Sequence, residues 1–212
     1  MTNEQLKAKC KGRTEEQQKV IKYFNAGGGC FSKKNISDEE YDQMVKNKVA
    51  SLNLKQKALD KLGIDESQVK EIPPCELPYW YFEKNKTWSK TGIDDHIRSS
   101  AYQVTWLFFS HKQVYIYQYI FNMDEDGKKE KTGEYFWKDI TNFSTTTEDI
   151  EVIDTVYKGC MKNKPVEIRK TKSIDRFKLI VPGDTFECNI TLDSDAENKV
   201  KAMKNKLREM KS

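Results

Sequence analysis

The sequence predicts an α+β chain: a helical N-terminal region over residues 1–72, then an antiparallel β-barrel over 76–212 that a C-terminal amphipathic helix closes. Three observations carry this reading. Apolar residues recur at spacings near 3.6 before residue 75 and alternate with period 2 after it. Pro73, Pro74 and Pro78 stand at the changeover, where they oppose both a helix and a central strand. Residues 194–212 carry an apolar stripe at helical spacing.

Residues 3–25 read as one helix with Leu6, Cys10, Val20, Ile21 and Phe24 along a face, stopped by the glycines of Ala26–Cys30. Ser37 and Glu40 form a capping box for a second helix, and Asp38, Glu39 and Glu40 suit the positive end of its dipole. Residues 55–62 predict a third helix ended by Gly63, and residues 65–70 a further turn.

Beyond Tyr79 the expected elements are strands. YWYFEK is aromatic and short, and residues 101–110 are rich in β-formers. Residues 114–123 alternate strictly. Val114, Ile116, Gln118 and Ile120 share one face, and Tyr115, Tyr117, Tyr119 and Phe121 the other. Asp126-Gly127 marks a hairpin, Lys138-Asp139 a turn, and Pro182-Gly183-Asp184 a last hairpin. VIDTVYKG and VEIRKT are strand-like, separated by KNKP. In the final helix Ala196, Val200, Met203, Leu207 and Met210 form the apolar stripe.

The composition narrows the function classes. The 212 residues are 33% charged with a net charge of +4, and the 11% aromatic content opposes wholesale disorder. Five cysteines, odd in number and without a CxxC pair, point to a reducing compartment rather than a disulfide framework. No run approaches the ~20 apolar residues needed to span a bilayer. The charged first residues lack the apolar core of a secretory signal, so a cytoplasmic location is expected.

YQVTWLFFSHKQVYIYQ, EYFWKDITNFSTT and FKLIVPGDTFECNITLDSDAENKVKAMKNKLREM together resemble bacterial pleckstrin-homology-like and GRAM-like domains. The likeness lies in element order over residues 79–212: strand pairs, a turn at Lys138-Asp139-Ile140, a last hairpin and a capping helix. Residues 144–172 depart from the simplest version. The resemblance implies a binding platform. Some such domains hold anionic lipid headgroups on a basic loop between the first two strands. Here that stretch carries Lys84, Lys86, Lys90 and Arg98, mixed with Glu83, Asp94 and Asp95.

Other constellations have duller readings. GGGCFSKK lacks phosphate-loop spacing, and MDEDGKKE lacks calcium-loop spacing. The two histidines, His96 and His111, stand apart, so no metal site, cofactor or catalytic residue is expected. The face of Tyr115, Tyr117, Tyr119 and Phe121 predicts either cover by the N-terminal helices or a surface for a partner protein. Nucleic acid would need a more basic footprint. The expectation is a non-catalytic binding or scaffolding module acting through protein contacts. The alternatives are a peripheral module on anionic membrane and a small hydrolase with an unfamiliar site.

Overall fold

A computed structural model describes residues 3–25, 36–84, 86–158, 164–191 and 193–211. The glycine run, the GGGCFSKK segment, Cys30 and Cys160 lie outside the described residues, as do Lys162 and Asn163 of the KNKP turn.

The leading helix is two. Helix α1 spans Asn3–Cys10 and α2 spans Glu15–Asn25. Gly12, at φ +77°, turns the chain between them. Thr14 then starts α2 with a reciprocal pair: its hydroxyl accepts from the Gln17 amide at 3.2 Å, while Gln17 Oε1 accepts from the Thr14 amide at 3.0 Å. A single glycine inside a helical pattern is tolerable by composition alone, and here the two local caps make it a break. Helix α3 (Asp38–Ser51) begins at the capping box of Ser37 and Glu40. Helix α4 (Leu54–Leu62) ends at Gly63, φ +64°, and a 3-10 turn follows at Glu66–Gln68.

The proline-rich stretch is not a linker. It forms strand β1 (Ile72–Tyr81), which pairs antiparallel with β4 (Ala101–Phe109). The reason is position. β1 is the outer strand of a four-stranded sheet, beside β4, and its register slips between Ile72 and Cys75, where Pro73 and Pro74 stand. An edge strand with a bulge accepts residues that lack an amide hydrogen. Strands β5 (Gln113–Asn122) and β6 (Lys128–Phe136) complete this sheet. The polar connection between β1 and β4 contains a short ribbon, β2 (Ser89–Thr91) with β3 (Ile97–Ser99).

Strands β7 (Asn142–Lys158), β8 (Lys164–Val181) and β9 (Asp184–Ile190) form a separate three-stranded sheet. Helix α5 (Ser194–Lys211) follows. The chain is thus mixed α+β with helices at both ends. Among the described residues the strands divide into two sheets and a ribbon and do not close into one barrel.

Two cores result. Leu107, Phe109, Val114 and Ile116 face Phe143, Phe177, Leu179 and Phe186 of the second sheet, and Val200, Met203 and Leu207 of α5 close this core. Trp137 is fully buried in it and donates from Nε1 to the Ser110 carbonyl at 2.9 Å. The opposite face of β4 and β5 places Val104, Phe108, Tyr117, Tyr119 and Phe121 under α2, α3 and α4, with Val20, Tyr23, Phe24, Tyr41, Val45 and Leu59 above. The alternation of β5 therefore serves both cores. No described helix is long and apolar enough to cross a membrane.

Candidate functional site

The capping box fixes where α3 starts, so Asp38, Tyr41, Asp42 and Val45 fall on one face at i, i+3, i+4 and i+7. That face meets the β2–β3 ribbon. Arg98, 3% exposed at its side chain, is held from both sides. Its Nε and Nη2 donate to the two Asp42 oxygens at 2.8 Å each. Its Nη1 and Nη2 donate to Asp94 at 2.9 and 2.7 Å, and Nη1 also reaches the His96 carbonyl at 3.3 Å. These five bonds engage all the guanidinium donors of Arg98. The Asp94 and Asp42 carboxylates raise the Arg98 pKa further, and Arg98 in turn holds Asp94 far below the usual carboxylate range.

Asp38 is the second centre. It accepts from Tyr23 Oη at 2.7 Å and from the Ile93 amide at 2.9 Å, with Lys90 Nζ at 3.5 Å. Burial alone would raise its pKa. The bonds from Tyr23 and Ile93 and the charges of Lys90 and Arg98 outweigh burial and hold it below the ordinary value. Burial and the Asp38 carboxylate push the Tyr23 phenol well up. Lys90 also sits 3.8 Å from the Tyr23 ring centroid. Tyr41 Oη donates to the Ser99 carbonyl at 2.7 Å. A Cβ on Gly92 would fall inside contact distance of the Arg98, Asp94 and Asp38 side-chain ends, so a larger residue there would have to displace this network. The tip beyond it exposes Ile93 almost completely, at 94%.

The basic residues singled out in the sequence are therefore mostly occupied. Lys90 and Arg98 belong to this joint. Lys86 bonds Glu83 at 2.5 Å, and Lys129 bonds the same carboxylate at 2.6 Å. Those two lysines bring the Glu83 pKa down to about 2. Lys84 is exposed. Lys90 and Arg98 are drawn to carboxylates of α3 while Lys86 is held by Glu83, so the first two lock a helix onto a ribbon.

The tyrosine face is likewise taken. Tyr117 is fully buried, Tyr119 and Phe121 nearly so, and Tyr115 is half-buried against the same core. Lys57 of α4 lies 4.4 Å from the Tyr119 ring centroid. A partner protein would have to displace this chain's own helices to reach these rings. His96 and His111 are exposed beside Asp94 and Glu71, at 3.3 and 3.5 Å. Burial pushes the Cys75 thiol up to about 11 and the Cys188 thiol up to about 12, away from the thiolate a nucleophile needs.

The feature that element-by-element reading misses is the length of the last hairpin but one. β7 and β8 pair over their whole lengths, from Asn142↔Ile180 to Lys158↔Lys164. β9 pairs with β8 over Asp175–Val181 and no further. Residues 164–174 of β8 thus have a strand on one side and, among the described residues, none on the other. Near the base of this arm Val152 and Ile174 are buried, and Lys172 Nζ bonds Asp95 Oδ1 at 3.0 Å. The two strand-like runs and the turn signal between them are visible in the sequence. The pairing register that makes them one long ribbon is not.

Comparison with known proteins finds no matching protein-family model, no matching curated protein and no matching solved structure.

Proposed function

We propose that this chain is a non-catalytic binding module that docks a protein partner by strand addition along β8. One observation carries the reading: among the described residues, 164–174 present an open backbone edge in line with β9. At ~3.3 Å per residue this edge runs for roughly 35 Å. Unpaired amides and carbonyls on a strand edge recruit an extended segment, and main-chain hydrogen bonds supply the affinity. By sequence residues 164–174 are net positive, but Arg169 and Lys172 are already paired with this chain's own Glu151 and Asp95, each at 3.0 Å. The partner is an extended segment held by main-chain bonds.

The resemblance to pleckstrin-homology-like domains supports a platform role and does not name a ligand. The Arg98–Asp42–Asp94 joint supports it too, because it ties the β2–β3 turn to the helical layer beside the arm's base.

The test is a shortened ribbon in which an Asn-Gly turn joins Glu151 to Thr171, residues that already pair across the strands. Full chain and shortened chain are used to recover partners from the native cell extract. A stoichiometric partner held by the full chain and lost from an equally stable shortened chain supports the reading. A partner retained by both, or none with the full chain, contradicts it.

A further inference from the structure

We infer that the C-terminal end of α5 forms an anion site whose ligand is a phosphomonoester group. A shallow groove of about 520 Å³ lies between this end of the helix and the start of β7. Among the described residues its lining is Thr141, Asn142, Lys204, Leu207, Arg208 and Lys211, three cations and no carboxylate. Lys204, Arg208 and Lys211 stand at i, i+4 and i+7, one face of the helix, spread over about 10 Å of its axis. Leu207 is buried and anchors that face in the sheet–sheet core.

The pairing pattern along α5 sets these cations apart. Lys199 holds Asp195 at 2.6 Å, and Lys206 holds Glu71 at 2.9 Å and Glu209 at 3.3 Å. Among the described residues Lys204, Arg208 and Lys211 form no ion pair within 4.0 Å. Arg208 donates only to the neutral Asn205 side chain, at 2.9 Å.

Cations in a last helical turn also complement the helix dipole, and that alone would explain Arg208 and Lys211. It does not explain Lys204, which lies about two turns in, beyond the reach of that effect. Nor does it explain why the cations face a groove walled by Thr141 and Asn142. A phosphomonoester, carrying close to two charges and three acceptor oxygens, matches a row of lysine and arginine donors better than a carboxylate does. Its source is either a free phosphate compound or a lipid headgroup. This inference is independent of the strand edge on β8.

The experiment uses the full chain and a Lys204→Gln/Arg208→Gln variant. Neither substitution touches the core: Arg208 is exposed and Lys204 half-exposed. Inorganic phosphate is titrated by amide chemical-shift changes. Flotation is measured with phosphatidylcholine vesicles containing a phosphatidylinositol monophosphate, and with phosphatidylserine instead. The expected result is shifts confined to 141–142 and 204–211, with affinity about tenfold weaker for each cation removed. Flotation with the monophosphate lipid in preference to phosphatidylserine assigns a headgroup. Phosphate binding without flotation assigns a free compound. No response to phosphate or to either vesicle, or a response equal in the variant, overturns the site.

Discussion

The two faces of β4 and β5 solve the same burial problem differently. Toward the second sheet the sheet offers Leu107, Phe109, Val114 and Ile116, and its polar groups are turned to account in strand-to-strand contacts. Gln103 Nε2 donates to the Asn189 carbonyl at 3.0 Å and so ties the sheets together. Toward the helices the sheet offers aromatic rings, and the covering helices answer with rings of their own. Tyr23 stacks on Tyr41 at 4.6 Å, and Tyr41 on Trp80 at 5.7 Å. That layer depends on hydroxyls and carboxylates at its margins, from Tyr23–Asp38 to Arg98–Asp42. The sheet–sheet core is held by shape and apolar area. The helix–sheet core is held by rings whose orientation is fixed by polar bonds, so pH and charge substitutions act mainly there.

The largest expected effect falls on the apolar side. Trp137→Ala removes a fully buried ring and orphans the Ser110 carbonyl, and should cost ~3–5 kcal/mol in denaturant unfolding. A loss under ~1 kcal/mol would mean that the sheet–sheet core does not close around this ring.

On the polar side Arg98→Met leaves Asp42 and Asp94 without their shared counter-ion. Those carboxylates are about one-third exposed, so solvent screens part of the loss, and the variant should unfold at a lower denaturant midpoint than the parent by less than Trp137→Ala does. The loss should shrink at acid pH, because Arg98 holds the Asp94 pKa low in the folded parent and that contribution fades as Asp94 takes up a proton. An equal loss at every pH would show that Arg98 acts by packing alone.

Asp124 sharpens the same contrast with opposite sign. Burial, with the nearby Glu125 charge, raises its pKa to about 6 against the positive influence of Arg13 and Lys9. Between pH ~4 and ~6 the folded chain keeps a proton that the unfolded chain has lost. Ionisation above that window is therefore opposed by folding, and stability falls as pH rises through it. Asp124→Asn should stabilise the chain by ~1–3 kcal/mol at pH 7, and by nearly nothing below pH 4. A thermal melt series across that window checks it; destabilisation at pH 7 would contradict the burial.

The smallest effects come from two hydroxyls. Tyr41→Phe loses a buried bond to the Ser99 carbonyl and should cost ~1–2 kcal/mol. Tyr117 Oη is buried beside the Glu130 carboxylate without a well-aligned hydrogen bond among the described residues, so Tyr117→Phe should cost less than Tyr41→Phe. Equal effects at the two positions would remove the distinction.

Much of this architecture is legible in local signals. The box at Ser37 and Glu40, the alternation of Val114–Phe121 and the 4-3 stripe of α5 each follow from nearest-neighbour geometry. What stays hidden depends on distant partners. Pro73 and Pro74 signal a boundary when read locally, and only their place at a sheet edge makes them a strand. Lys90 and Arg98 read as free cations because Asp38 and Asp42, more than fifty positions earlier, cannot be aligned with them from spacing alone. The open edge of β8 is a difference between two pairing registers, and neither register is written in composition.

Amide hydrogen exchange along β8, resolved residue by residue on the purified full chain, tests the central claim most directly. An edge open on one side predicts alternation over 164–174, with amides bonded to β7 slow and the intervening amides fast. Over 175–181, where β9 covers the second side, all amides should be slow. Uniform protection through 164–174 would show that this chain already closes its own edge, and uniform rapid exchange would show that the ribbon does not hold; either would contradict docking by strand addition.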